Sequence, residues 1–230
     1  KSNRIFDGGD CRLPGFLRGL LVHLSYSMQS ILHIDTSTDS GVVAISADGK
    51  ILDSRINEES RNHAGTVNLM IDEILKSTGL MMNELDAIAV CAGPGSYTGL
   101  RIGLATAKGI CYALDKPLIL NNRLLLLAYQ WYCEYAQLYD RYTVILVART
   151  REYFVAEYDS HFKCIQEPCH SDEERLPVMK PDALKRLVIT DAGDNLFEQL
   201  EKGVFRVEKD LKIDLSAWAS RAFEDFKCHN

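Results

Sequence analysis

The segment that most restricts the fold is "DAIAVCAGPGSYTGLRIGLATAKGI", Asp86 to Ile110. An apolar run of strand type enters a turn holding Gly93, Pro94 and Gly95, then leaves as a helix crowded with glycine and alanine. An interior glycine costs a helix about 1 kcal/mol relative to alanine, so Gly103 and Gly109 need a reason. Two rows of small residues run four apart, Gly99–Gly103–Ala107 and Ala105–Gly109–Ala113. Such rows let another element come close. That element belongs either to this chain or to a partner, and the pattern alone leaves both open.

The turn itself sits where a strand ends and a helix begins. Helix N-terminal amides point outward there and favour an anion. Asp35, Thr36, Gly93, Gly95, Ser96, Thr98 and Arg101 are therefore candidate anion or nucleotide contacts. The standard phosphate fingerprints fail, however. A P-loop needs Lys and then Ser/Thr after its last glycine, and Leu100 and Arg101 follow Gly99 instead. Thr98 occupies the third-glycine position of a dinucleotide turn. A plain structural turn is the competing reading.

Before this segment, "ILHID", "VVAIS" and "ILDSRINEE" read as three strands joined by short turns, with Asp48-Gly49 a two-residue hairpin signal. Val67, Met70, Ile71, Ile74 and Leu75 repeat with helical spacing over about 63–77, and Gly79 suits the end of that helix. A meander followed by helix, strand and helix predicts an α/β fold with a mixed sheet. The second half is a looser echo. "YTVILVARTREYFVAEYD" reads as strand, turn, strand; "LVITDAGDNLFEQL" as strand, turn, helix; and a helix from about Ser216 closes the chain. This suggests a duplicated unit, with lobes at 28–125 and 126–230.

A net charge of −6 over 230 residues argues against a protein that grips nucleic acid alone through a broad basic face. Seven cysteines with no CxxC pair predict a reducing, cytoplasmic setting. No apolar run approaches the roughly 20 residues of a membrane span. Residues 1–27, basic with a Leu-rich second half, are set aside as a leader or appended segment ahead of a start at Met28.

"ILHIDTSTDSGVVAIS", "DAIAVCAGPGSYTGLRIGLATAKGICYAL" and "KPLIL" resemble the bacterial TsaB (YeaZ) family. The resemblance is close over about Gln29–Leu120 and weak beyond. It implies an actin/Hsp70-like (ASKHA) fold of two ribonuclease-H-like lobes. It also implies a non-catalytic subunit in the formation of N6-threonylcarbamoyladenosine at position 37 of tRNAs reading ANN codons. The implied partners are TsaD and TsaE, with tRNA engaged through the complex and a homodimer formed when the chain is alone. ATP and threonylcarbamoyl-AMP belong to the complex; the resemblance implies no cofactor held by this chain alone and places the metal in the TsaD-type paralogue. Family members pair through first-lobe helices, which here makes His63, Val67, Met70, Ile74, Gly99, Gly103, Ala107 and Lys108 the interface candidates. The His-x-x-x-His metal site of the catalytic paralogues aligns with Arg123 and Leu127, which cannot replace it. The family commonly has Asp where Val147 stands, and it continues past residue 230, so a C-terminus cut short is expected. An independent actin-fold ATPase or kinase and a glycoprotease-type metallopeptidase are the alternatives.

Overall fold

Ser30–Asp35 (β1), Gly41–Ala47 (β2) and Lys50–Asn57 (β3) form an antiparallel meander. These strands open a computed structural model that describes residues 28–58, 62–136, 138–179, 183–193, 204–207 and 211–229. The 1–27 segment and the helix expected after Gly193 lie outside the described residues. Asp48 and Gly49 both take positive φ, 48° and 76°, as a tight hairpin of right-twisted strands requires. Helix α1 (His63–Thr78) ends on Gly79 at φ 72°. Then come β4 (Ala87–Cys91), α2 (Tyr97–Leu114), β5 (Leu118–Asn121) and α3 (Arg123–Glu134). The second half supplies β6 (Arg141–Arg149), β7 (Glu152–Asp159), β8 (Cys164–Asp172), β9 (Arg186–Thr190) and β10 (Val204–Val207), and α4 (Leu215–His229) follows.

The two sheets are copies in topology. The first has the order β3-β2-β1-β4-β5 and the second, read from its other edge, β8-β7-β6-β9-β10. In each, the three-strand meander is antiparallel and the remaining pairings are parallel. The duplicated ribonuclease-H-like, actin/Hsp70-like α/β architecture therefore holds, including the half whose echo was faint.

Strand alternation divides the first lobe into two layers. Leu32 and Ile34 of β1, Val43 and Ile45 of β2, and Ile88 and Val90 of β4 face Val67, Met70, Ile71 and Ile74 of α1 and Ala107 of α2. On the other face, Ile31, Ala87, Ala89, Cys91 and Ile119 meet Trp218, Ala222 and Phe226 of α4. The closing helix thus seats on the first sheet, although the sequence places it in the 126–230 lobe. The run Leu124–Leu127 explains the join. Leu124 and Leu127 enter the second-lobe core, while Leu126 enters the first. A boundary at 125 cuts through α3, which is apolar on opposite sides because it is buried between the lobes.

His33 of β1 lies under α4, 1% exposed, with Nε2 2.8 Å from Ser46 Oγ and its ring edge-on to Trp218. Burial lowers its pKa from 6.5 to about 3. Between those values the unfolded chain binds the proton and the folded chain does not. Stability therefore falls as pH drops through this window, by up to about 1.4 kcal/mol per pH unit. Urea midpoints measured from pH 7 to 4 should show this slope, and His33→Gln should remove that share of it. Equal slopes in both proteins would refute the assignment.

Candidate interface and interlobe cleft

The glycine turn packs directly on the β1–β2 turn. The Ser96 amide donates to Ser37 O (2.7 Å), the Thr36 hydroxyl to Gly99 O (2.7 Å) and the Ser37 amide to Asp35 Oδ1 (2.8 Å). Ser96 Oγ in turn accepts from the Gly99 amide (3.3 Å). A Cβ on Gly95 would lie 2.2 Å from Ser37 O, and one on Gly99 would lie 1.9 Å from Thr36 O. Gly93 holds φ at 94°, where side chains are rarely tolerated. So Asp35, Thr36, Gly93, Gly95 and Ser96, expected to contact an anion, form a turn-on-turn contact that uses the Ser96 and Gly99 amides internally. Thr98 and Arg101 stay outside it, exposed, with the Arg101 guanidinium 5.5 Å from the Tyr97 ring centroid. The Ser96 and Gly99 amides are thus committed within the chain rather than offered to a phosphate.

The interface expectation needs correction. His63, Val67, Met70, Ile74, Gly99, Gly103 and Ala107 are all buried within this chain; of the eight candidates only Lys108 is exposed. Gly103 is small because α2 lies against its own sheet. A Cβ there would sit 2.4 Å from Thr36 Oγ1 and 3.6 Å from methyl groups of Ile34 and Val90. The second row is the open one. Ala105, Gly109 and Ala113 are exposed, and nothing lies within 4 Å of a Cβ built on Gly109. Tyr112, 93% exposed, lies one turn from Gly109 on the same helix, and Leu69 of α1 is 61% exposed. Sequence spacing found both rows but could not tell which faced inward.

His63 is no free base. Its Nε2 is 2.9 Å from Thr38 O, so that nitrogen donates. The Cys91 thiol is 2% exposed, and burial, reinforced by the Asp35 charge, pushes it up to about 12. It stays protonated and is a core residue rather than a nucleophile. Arg123 Nη2 donates to Leu211 O (3.0 Å), and Leu127 is fully buried in the second-lobe core. These two positions do not fit a metal. Among the described residues no group of three or more His, Cys, Asp or Glu side chains converges as a metal site, and no helix is long and apolar enough to cross a membrane.

In the second sheet, the Val147 amide near the end of β6 donates to Asp191 Oδ1 (2.7 Å), just past β9.

Comparison with known proteins agrees with this architecture. Residues 50–180, more than half of the chain, match the family described as "TsaD: tRNA N6-adenosine threonylcarbamoyltransferase". The "tRNA threonylcarbamoyladenosine biosynthesis protein TsaB" of Haemophilus influenzae is 42% identical over 91 residues, covering 39% of this chain and 38% of that protein. The protein of that name from Escherichia coli is 31% identical over 153 residues, covering 66% of this chain and 63% of its own length. The matched regions thus span 38% and 63% of these two relatives, less than two thirds of each. In three dimensions, "YeaZ from Pseudomonas aeruginosa" superposes with a TM-score of 0.71 at 25% identity, over 88% of this chain and 94% of that one. With the glycine-turn motif, the duplicated sheets and these likenesses in hand, the chain belongs to the TsaB (YeaZ) family.

Proposed function

We propose that this chain is a non-catalytic scaffold subunit of the machinery that forms N6-threonylcarbamoyladenosine at position 37 of tRNAs reading ANN codons. In this reading it pairs with a TsaD-type paralogue and a TsaE-type ATPase and meets tRNA only within that assembly, in the cytoplasm. One observation carries the non-catalytic role: in a chain of this family, the positions aligned with the paralogues' metal-binding histidines hold Arg123, tied to Leu211 O, and Leu127, buried in the core. The turn packing at Thr36–Ser37 argues against an independent ATPase, because the loop that would face a phosphate is filled by the chain's own backbone.

The pairing surface is then the exposed row of α2 with Leu69 and Tyr112, and it serves a homodimer or the TsaD-type partner alike. The first test combines this protein with the TsaD- and TsaE-type proteins of its own organism, tRNA and threonylcarbamoyl-adenylate. Modified adenosine is expected only when this chain is present; equal yield in its absence would sink the scaffold reading. Gly109→Leu should leave the thermal midpoint near the parent's while weakening partner binding at least tenfold. Unchanged binding by ultracentrifugation would remove this face from the interface.

A further inference from the structure

A cavity of about 100 Å³ lies between the β1–β2 turn, the end of β3, the start of α3 and the segment entering α4. Two carboxylates, Asp35 and Glu58, and two cations, Arg123 and Lys212, line it together with apolar groups that include Val42 and Trp218. Asp35 is only 6% exposed. Its Oδ1 is taken by the Ser37 amide, and it makes no ion pair among the described residues. Across the cavity, Arg123 commits Nη2 to Leu211 O, while its Nε is buried with no partner. A buried carboxylate and a guanidinium therefore border one space without neutralising each other. Buried charge in this condition is costly unless something pairs it.

Size and charge select what could do so. The space is about a third of the smallest usual ligand pocket, roughly 300 Å³, so a nucleotide does not fit. It exceeds the roughly 30 Å³ share of one water, so a molecule of several heavy atoms does fit. A simple anion would meet Arg123 and Lys212 but also face Asp35 and Glu58, and a simple cation would meet the reverse problem. A molecule carrying both charges satisfies both sides.

The geometry points to a binding site for a small zwitterion, an α-amino acid with a short side chain. Its ammonium meets Asp35, its carboxylate meets the Arg123 fork, and its side chain lies on the Val42–Trp218 wall. Guanidinium recognises carboxylate through two parallel hydrogen bonds, which fixes orientation as well as charge.

Calorimetric titration of the full chain with glycine, L-alanine, L-serine and L-valine tests this, with propionate, alaninamide and inorganic phosphate as controls. At least one free amino acid should bind saturably, and propionate, alaninamide and phosphate should not. Asp35→Asn keeps an acceptor for the Ser37 amide, and it should weaken binding at least tenfold. Arg123→Gln should do the same, and Arg123→Lys should restore part of the loss. Circular dichroism of each variant separates lost binding from lost fold.

Absence of saturable binding at about 10 mM, weaker than the millimolar affinity of even modest ligands, would overturn the proposal. So would propionate or phosphate binding as well as the amino acids, or affinity unchanged in both the Asp35 and Arg123 variants. No tRNA or partner protein enters this experiment, so its failure leaves the family role standing.

Discussion

Replacing Gly99 by alanine is expected to cost more than the roughly 1–3 kcal/mol usual for an overpacked core, a large share of the roughly 5–15 kcal/mol that holds an ordinary domain folded. The added Cβ would lie 1.9 Å from the carbonyl oxygen of Thr36, and this neighbour is backbone that cannot rotate aside. Thr36 is itself held, because its hydroxyl donates to Gly99 O and it directly follows β1, the central strand of the first sheet. Gly103→Leu should fail for a related reason, since even a Cβ there meets Thr36 Oγ1 at 2.4 Å. Gly109→Ala is the control. It sits in open space on the same helix, so it should gain up to about 1 kcal/mol from helix propensity alone. Urea denaturation of the three variants provides the measurement. A Gly99→Ala protein as stable as its parent would show that the turn-on-turn contact is looser than described.

Trp218→Ala should destabilise the chain by about 3–5 kcal/mol, the usual range for deleting a buried aromatic side chain. Trp218 is 1% exposed and packs with Ile31, Ala89 and Ile119 beneath α4. Its Nε1 donates to Asn121 Oδ1 (2.9 Å), and Asn121 Nδ2 donates to Asp225 Oδ2 (2.8 Å), so one side chain links α4 to the edge of the first sheet. Because α4 also packs on α3, the helix shared by both cores, the loss should loosen the two lobes together. Trp218→Phe separates the contributions. It keeps most of the packing and strands the Asn121 oxygen, at a cost of about 1–3 kcal/mol. The alanine variant should also hydrate His33, its ring neighbour, and remove the acid sensitivity assigned to that residue. A Trp218→Ala protein within 1 kcal/mol of the parent, near the scatter of surface substitutions, would mean that α4 does not join the lobes.

The first lobe was readable because its signals are local. Alternation in "ILHID" and "VVAIS", the Asp48-Gly49 turn and the spacing of Val67, Met70 and Ile74 each act within a few residues. Elements went unread where the signal was not local. Four consecutive leucines give α3 no polar face by which to judge a helix, because cores on two sides claim them. β8 contains Pro168 and lies at a sheet edge, where burial is partial and the strand pattern weak. The short β5 and β10 offer too few residues for a period.

The candidate site divides along the same line. Sequence alone determined the family, the order of elements in the first lobe and the need for small residues along α2, because the motif and the helix period are properties of neighbouring residues. Only the tertiary structure decided which small residues face inward. Gly103 and Gly109 look alike as letters, but one meets Thr36 and the other meets nothing, since what lies across a helix is set by chain distant in sequence. The same holds for Asp35 and Arg123. Each is unremarkable in its own segment, and they become a pair only where the β1–β2 turn and the start of α3 close on one cavity.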